Sequence, residues 1–260
     1  MAGQVRVSTE GALGWIVFDH LERRNAITAQ MWAEIPDAAR RLAQDPAVRV
    51  VILRGAGELA FLSGADISEF ERMRSGASAL DYDAQNSRAF EALAAIDKPV
   101  LAMIHGFCIG GGTAIALQAD LRFAADDAEF AIPAGKLGLG YSPAGIDTLV
   151  RLVGPSAAKD LFFTARRVGA EEALRIGLVN AVIPKSELEA SVRRTAETIA
   201  ANAPLTLASV KRVVRNLAHG GVAGEDPEIA RSVRACFESD DYREGVRAFL
   251  EKRPPRFQGR

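Results

Sequence analysis

Val100-Leu101-Ala102-Met103-Ile104-His105-Gly106-Phe107-Cys108-Ile109-Gly110-Gly111-Gly112-Thr113-Ala114-Ile115-Ala116-Leu117-Gln118-Ala119 is the stretch that decides the fold. Residues 100–104 form a short, unbroken apolar run, the mark of a strand buried on both faces. Residues 105–112 read as a glycine-rich turn, and 113–119 as a compact helix of small residues. The same grammar recurs upstream. Residues 48–54 (VRVVILR) predict a second buried strand, and Gly55 and Gly57 open a loop. A short strand around Phe61 leads into Ser63-Gly64-Ala65-Asp66. Residues 67–78 predict a short helix and a mobile loop. A helix over 81–96 ends at Asp97-Lys98-Pro99, because the residue before proline resists helical geometry.

Working outward, residues 4–8 and 12–18 predict a hairpin about Glu10-Gly11. Residues 19–27 are polar and turn-like. Thr28 is placed to cap a helix running to Gln44, which Asp45-Pro46 breaks. Downstream, 121–124 and 129–132 predict short strands, and 133–145 a loop rich in glycine. Helices follow at 146–152, 155–164 and 170–176, then a strand at 178–183. From residue 186 onward only helices are expected: 186–202, 205–218, 226–237 and 239–251. The fold class is α/β with a mainly parallel sheet, since strand, crossover and strand alternate in the first two thirds. Val210, Val213, Val214 and Leu217 share one helical face. That face is expected to pack on the core or on a neighbouring subunit.

The chain has 260 residues, 48% hydrophobic and 25% charged, which excludes a disordered polymer. With 32 basic and 33 acidic side chains, no cationic excess exists to bind nucleic acid. No apolar run is long enough for a membrane span, and the N-terminus lacks the pattern of a signal peptide. Cys108 and Cys236 are too few for a disulfide framework and sit in apolar context, as buried reduced thiols would. A cytoplasmic location is expected.

Several motifs are missing. There is no GxxxxGK[ST] phosphate loop. Gly138-Leu139-Gly140 lacks the third glycine of a dinucleotide fingerprint. Gly140-Tyr141-Ser142-Pro143-Ala144 departs from the nucleophile elbow at its last residue, and a proline after the nucleophile removes an oxyanion donor. His20, His105 and His219 have no metal-ligand spacing, so no metal site is expected. What remains is a pair of segments, Phe61–Ile67 and Gly106–Thr113, each placing small residues between a buried strand and a helix start. Backbone N–H groups are unsatisfied at helix starts, and small residues let a ligand approach them. Two such ends facing each other make an oxyanion hole. Small residues equally serve tight helix–strand packing, so either segment alone carries little weight.

Together they resemble the crotonase superfamily, the enoyl-CoA hydratase/isomerase family. The resemblance spans the chain, through Arg23-Arg24-Asn25-Ala26-Ile27, Phe61–Ile67, Pro99–Gly112, Gly177-Leu178-Val179-Asn180, Asp241-Tyr242-Arg243-Glu244-Gly245 and Phe249-Leu250-Glu251-Lys252-Arg253. It implies a spiral of ββα repeats over residues 1–200 and a helical trimerisation region over 201–260. It implies assembly as a homo-trimer or as a hexamer built from two trimers. It also implies an acyl-CoA substrate, with coenzyme A part of that substrate and no prosthetic group. On this resemblance the N–H groups of Ala65 and Gly111 hold the thioester oxygen. Arg24 and Ala26 hold the nucleotide end of coenzyme A, Asp66 and Ile67 line its path, and Phe249 and Lys252 reach the coenzyme A of a neighbouring subunit.

One departure bears on mechanism. Hydratases of the family share proton transfer between two glutamates. The matching positions here are Ala114 and Ala134. General acid–base catalysis is worth ~10²–10⁴ in rate, and a methyl group supplies none of it. Ordinary hydration and glutamate-driven isomerisation are therefore disfavoured. The Leu139-Gly140-Tyr141 loop and the residues at 240–245 and 251–253 are similar to methylmalonyl-CoA decarboxylase members, although those carry histidine where this chain has Ala65. Decarboxylation needs an oxyanion hole and a proton donor but no general base. Tyr141 is the candidate to orient a carboxylate or relay that proton; it equally suits a plain pocket wall. Ser142 stands near where a dehalogenase relative keeps a nucleophilic aspartate. Asp66 is expected to cap the helix it opens, Lys136 to point outward, and Asp147 to flank a helix. Glu69 and Asp83 are placed where they can close over the acyl group. Three readings stay open: a decarboxylase-like lyase, a hydratase with substitute acid/base groups, and a non-catalytic acyl-CoA binder.

Overall fold

The computed structural model describes residues 2–69, 78–141, 143–222 and 226–260. The first hairpin pairs β1 (Gln4–Glu10) with β2 (Leu13–Asp19). Helix α1 (Ala29–Gln44) follows, with Thr28 Oγ1 accepting from Met31 N as its cap. Then β3 (Val50–Gly55) leads to β4 (Ala60–Leu62) and α2 (Ser78–Ala94). Next come β5 (Val100–Ile104), β6 (Phe107–Ile109) and α3 (Gly111–Ala116). They are followed by β7 (Leu121–Ala125), β8 (Glu129–Ala131), α4 (Ala134–Leu137) and α5 (Pro143–Thr164). Within α5 the backbone leaves helical geometry at Gly154, and Pro155 opens its second half.

Each of β3/β4, β5/β6 and β7/β8 sends one strand to each of two sheets. The larger sheet runs β1-β2-β3-β5-β7-β10, parallel from β2 onward, with β10 at Ala181–Ile183. The smaller runs β4-β6-β8-β9, with β9 (Val168–Gly169) antiparallel at its edge. This is the expected spiral of ββα turns. Strand periodicity explains why the central runs are apolar throughout. Ile16, Phe18, Val51, Leu53, Val100, Ala102 and Ile104 join the main core with Phe61, Leu62, Cys108 and Phe130 of the smaller sheet. The alternate residues Leu13, Trp15, Val50, Ile52, Leu101 and Met103 face α7 (Leu188–Ala200) through Leu188, Val192 and Ala196.

After α6 (Ala170–Arg175) and β10 the chain is helical: α7, α8 (Pro204–Ala218), α9 (Pro227–Glu238) and α10 (Asp240–Leu250). Buried Asp241 holds the C-terminal tail by accepting from Gln258 N (2.6 Å) and Gly259 N (2.7 Å). The face of α8 named from sequence stays outside this chain's core: Val210 and Val214 are 54% and 59% exposed.

Some expectations need correction. The turn read over 105–112 contains strand β6, because Cys108 pairs with Leu62 on one side and Phe130 on the other. The loop read over 133–145 contains α4 and the start of α5. Strand β9 has too few residues to show a period. Residues 70–77 of the expected mobile loop, and Ser142, lie outside the described residues. Glu69 does not close over the acyl pocket: its Oε2 accepts from Ala29 N at 2.7 Å, at the start of α1. Cys108 is buried, and burial pushes its thiol up to about 12, but Cys236 is only half-buried. Among the described residues no helix is long and apolar enough to cross a membrane.

Candidate active site

The site begins at the turn after β2. Arg24 (φ 51°) and Asn25 (φ 58°) both adopt left-handed backbone. Asparagine tolerates that region better than most residues, and here buried Asn25 is locked in place. Its Nδ2 donates to Ala56 O (2.9 Å) and Ala60 O (2.8 Å), and its Oδ1 accepts from His20 N (3.0 Å). The turn is stitched to the segment after β4. Ser63 Oγ donates to Arg23 O, Ile27 N to Gly64 O, and Asp66 N to Ile27 O. Two motifs about forty residues apart in sequence thus form one rigid unit. Arg24 leaves it with its guanidinium over the Phe107 ring at 5.2 Å; Arg167, unsuspected from sequence, lies at the same distance.

Within this unit Gly64 has φ +109° and directly precedes Ala65; across the site Gly110 has φ +52° and directly precedes Gly111. A side chain at either glycine strains the turn that aims the following N–H. The flanking amides are committed: Gly110 N donates to Ala131 O, and Ala114 N to Gly110 O. Among the described residues neither Ala65 N nor Gly111 N donates to a backbone acceptor. Gly111 opens α3, where the first amides have no intrahelical partner. The two donors are neighbours, since a β-carbon built on Gly111 would lie 3.7 Å from Ala65 N.

Both border a cavity of about 110 Å³. Ala114 lies on the same side of α3, one turn beyond Gly111, and lines it; Tyr141 lines it too. The Tyr141 ring is held edge-on against Phe162 at 5.1 Å. Ala134, the other position at which the resemblance implies a glutamate, is buried in the core and is not among the lining residues. The remaining wall comes from Trp32 and from α2. Trp32 Nε1 donates to Tyr82 OH (3.1 Å), and its ring meets Phe90 edge-on. Tyr82, Asp83, Asn86, Ser87 and Phe90 line the cavity from one face of α2. That wall went unread apart from Asp83, although the i, i+4, i+8 spacing of Tyr82, Asn86 and Phe90 is visible in sequence. Among the described lining residues there is no Lys, Arg or His.

The other expected contacts scatter. Asp66 is nearly buried and accepts from Ser68 N (3.0 Å) and Ser68 Oγ (2.7 Å), as expected of a cap. Burial pushes its carboxyl up, but the Ser68 bonds and the Arg23 charge outweigh burial, leaving it below the usual range. Ala26 is buried, and Ile67 is exposed. Phe249 is 84% exposed at the end of α10, and Lys252 follows it in left-handed backbone (φ 55°). Neither lines the cavity. Lys136 is exposed, and Asp147 pairs with Arg151 on α5. Among the described residues no cluster could hold a metal ion.

Comparison with known proteins agrees with this architecture. The family model described as enoyl-CoA hydratase/isomerase matches residues 8–260. A crotonyl-CoA hydratase from Syntrophomonas wolfei is 36% identical, over 95% of each chain. A carnitinyl-CoA dehydratase from Proteus mirabilis is 34% identical over the full length of both. The crystal structure of an enoyl-CoA hydratase/carnithine racemase from Magnetospirillum magneticum superposes with a TM-score of 0.94 at 32% identity, covering 98% of this chain and 96% of that one. The ββα spiral agrees with these matches, and the chain belongs to the enoyl-CoA hydratase/isomerase family of acyl-CoA enzymes.

Proposed function

We propose that this enzyme is an acyl-CoA lyase that forms a thioester enolate on main-chain amides, without the glutamate pair of the hydratases. Decarboxylation of a short 2-carboxyacyl thioester is its concrete form. The observation that carries the reading is the shared cavity: Ala65 and Gly111 line it with their backbones close together, and position 114 contributes only a methyl group. The thioester oxygen accepts from both amides. As the bond between C2 and the carboxyl carbon breaks, its electron pair moves into the enolate and carbon dioxide departs. Charge that began on the carboxylate ends on the oxygen between the two donors, where preorganised dipoles stabilise it most. The wall around the carboxylate offers Asp83 and no cation among the described residues, so the charge is poorly compensated before reaction and well compensated after it. Tyr141 orients the carboxylate, and C2 of the enolate then takes a proton from water to give the shorter acyl-CoA.

Coenzyme A enters as part of the substrate, with no prosthetic group. Arg24 and Ala26 take its nucleotide end, and Asp66 and Ile67 line its path. Phe249 and Lys252 serve a neighbouring subunit, a role supported by their position off the cavity. The assembly is a homo-trimer or a pair of trimers, its contacts including the exposed apolar residues of α8 and α10. Light scattering on the purified protein tests this, a monomer refuting it.

A second reading has its own support. Asp83 lines the cavity and is an acid/base group that the family pattern does not supply. With it the chain would hydrate or dehydrate, as the names of its relatives from Syntrophomonas wolfei and Proteus mirabilis suggest. Malonyl-, methylmalonyl- and crotonyl-CoA, followed by mass spectrometry, separate the readings. Loss of carbon dioxide, slowed in Tyr141→Phe, is expected. Hydration of crotonyl-CoA that disappears in Asp83→Asn would establish the second reading. Binding without turnover of any thioester would mark a non-catalytic binder.

A further inference from the structure

Trp32 is 1% exposed, yet it belongs to the wall of the acyl cavity. It stands in the first turn of α1, where its backbone N–H donates to Thr28 O at 3.0 Å. The start of that helix is fastened to the segment of one candidate donor. Ile27 and Ala65 form an isolated parallel β-bridge, with Ile27 N donating to Gly64 O and Asp66 N to Ile27 O, each at 2.8 Å. Glu69 Oε2 adds a further tie by accepting from Ala29 N. From this anchored helix the indole reaches the other candidate donor. A β-carbon built on Gly111 would lie 3.2 Å from Trp32 Cζ2 and 3.7 Å from Ala65 N. One point beside Gly111 is thus bounded by the indole edge and by the Ala65 amide.

The strand ladder does not hold the two donors together. Among the described residues the β4–β6 pairing ends at Leu62 and Cys108, before either donor is reached. Trp32 spans the remaining gap, and its own orientation is fixed from the far side. Its Nε1 donates to Tyr82 OH at 3.1 Å, and its ring meets Phe90 edge-on at 5.4 Å, both partners lying on α2. An aliphatic side chain at 32 could fill the same core but would have no directional bond to set its rotation. Because protein interiors are packed as densely as crystals, a ring locked in this way transmits its position to the backbone it touches.

We propose that Trp32 is a positioning residue for the oxyanion hole. Its indole braces the Gly111 backbone at the separation from Ala65 at which one thioester oxygen accepts from both N–H groups. Trp32 acts through Gly111 and exchanges no proton or charge with the substrate. The inference rests on the oxyanion reading of the cavity and goes beyond it by naming what holds the two donors in register.

Infrared difference spectroscopy of bound butyryl-CoA, labelled with carbon-13 at the thioester carbonyl, reads the hydrogen bonds at that oxygen directly. Butyryl-CoA has no carboxylate to lose and no double bond to hydrate, so it reports without turnover. In the wild type the carbonyl band is expected at lower frequency than in solution, because preorganised donors polarise it. Trp32→Phe keeps an aromatic ring in the core, falls short of Gly111 and removes the Nε1 donor. It is expected to lose most of the shift and to lower kcat ~10²-fold on whichever thioester the wild type consumes, the cost of moving a reacting group by about 1 Å. Affinity for free coenzyme A should not change. Tyr82→Phe leaves the indole in place and removes its anchor, so a smaller loss of the shift is expected. A full carbonyl shift in folded Trp32→Phe, whatever its kcat, would overturn the positioning role and leave the oxyanion reading standing. If Trp32→Phe does not fold, a full shift in Tyr82→Phe would overturn it instead. If the wild type binds butyryl-CoA with no shift at all, the oxyanion reading falls and the brace falls with it.

Discussion

Replacing Gly111 by alanine separates catalysis from stability at this site. Gly111 opens α3 and is absent from the positive-φ residues, so alanine fits its backbone. Less unfolded-chain entropy would then favour the variant by ~0.4–1 kcal/mol. Against this, the new methyl would sit 3.2 Å from Trp32 Cζ2, which requires a few tenths of an ångström of give. The two effects nearly cancel, and the melting temperature is expected to stay within a few degrees. The same methyl lies 3.7 Å from Ala65 N, in the space between the two donors. A thioester oxygen must come within roughly 2.7–3.1 Å of each N–H to be stabilised, and the methyl obstructs that approach. Loss of one oxyanion donor costs ~10²–10³ in kcat, and a loss at least that large is expected. Free coenzyme A should bind as before, because Arg24 and Ala26 are untouched. Steady-state kinetics on whichever thioester the wild type consumes, with calorimetry for coenzyme A, gives the result. Wild-type kcat in a folded Gly111→Ala protein would refute the oxyanion assignment.

Other perturbations are equally direct. Ala114→Glu returns a carboxylate to the cavity wall on α3, and crotonyl-CoA hydration should rise ~10²-fold or more above the wild-type background; no gain in a folded variant would show that position 114 does not face the reacting carbons. His105 is held near 4 chiefly by burial, with the charges of Arg54 and Lys185 adding to it, against an ordinary value of 6.5. Its folded-state value is the lower one, so its contribution is complete above about pH 6.5 and is lost as pH falls toward 4. The difference is worth about 3 kcal/mol. Urea unfolding across that window should therefore show a shallower loss of stability for His105→Asn than for the wild type, and parallel curves would contradict the burial argument. Tyr141→Phe keeps the ring contact with Phe162 and removes the hydroxyl, so a drop in the kcat of decarboxylation is expected; unchanged turnover would reduce Tyr141 to a wall.

The strands at 50–55 and 100–104, the capped helix after Thr28 and the helical tail could all be read along the chain. Each rests on local signals: apolar runs, a threonine cap, proline breaks. The two segments of small residues around Ala65 and Gly111 were also legible as strand-to-helix junctions, and the family resemblance singled out those two positions. Strand β6 was not legible, because three residues between glycines resemble a turn until strands on both sides pair with them. Nor were Asn25, Trp32 and the α2 wall. Asn25 bonds to residues about thirty positions away, and Trp32 finds its partner at Tyr82. The sequence by itself determined that two strand-to-helix junctions are built of small residues and that positions 114 and 134 carry only methyl groups, because those follow from residue type and local pattern. Only the tertiary structure decided that Ala114 lines the cavity while Ala134 is buried in the core. Those outcomes depend on how helices from distant parts of the chain close around one another, and no local pattern records that closure.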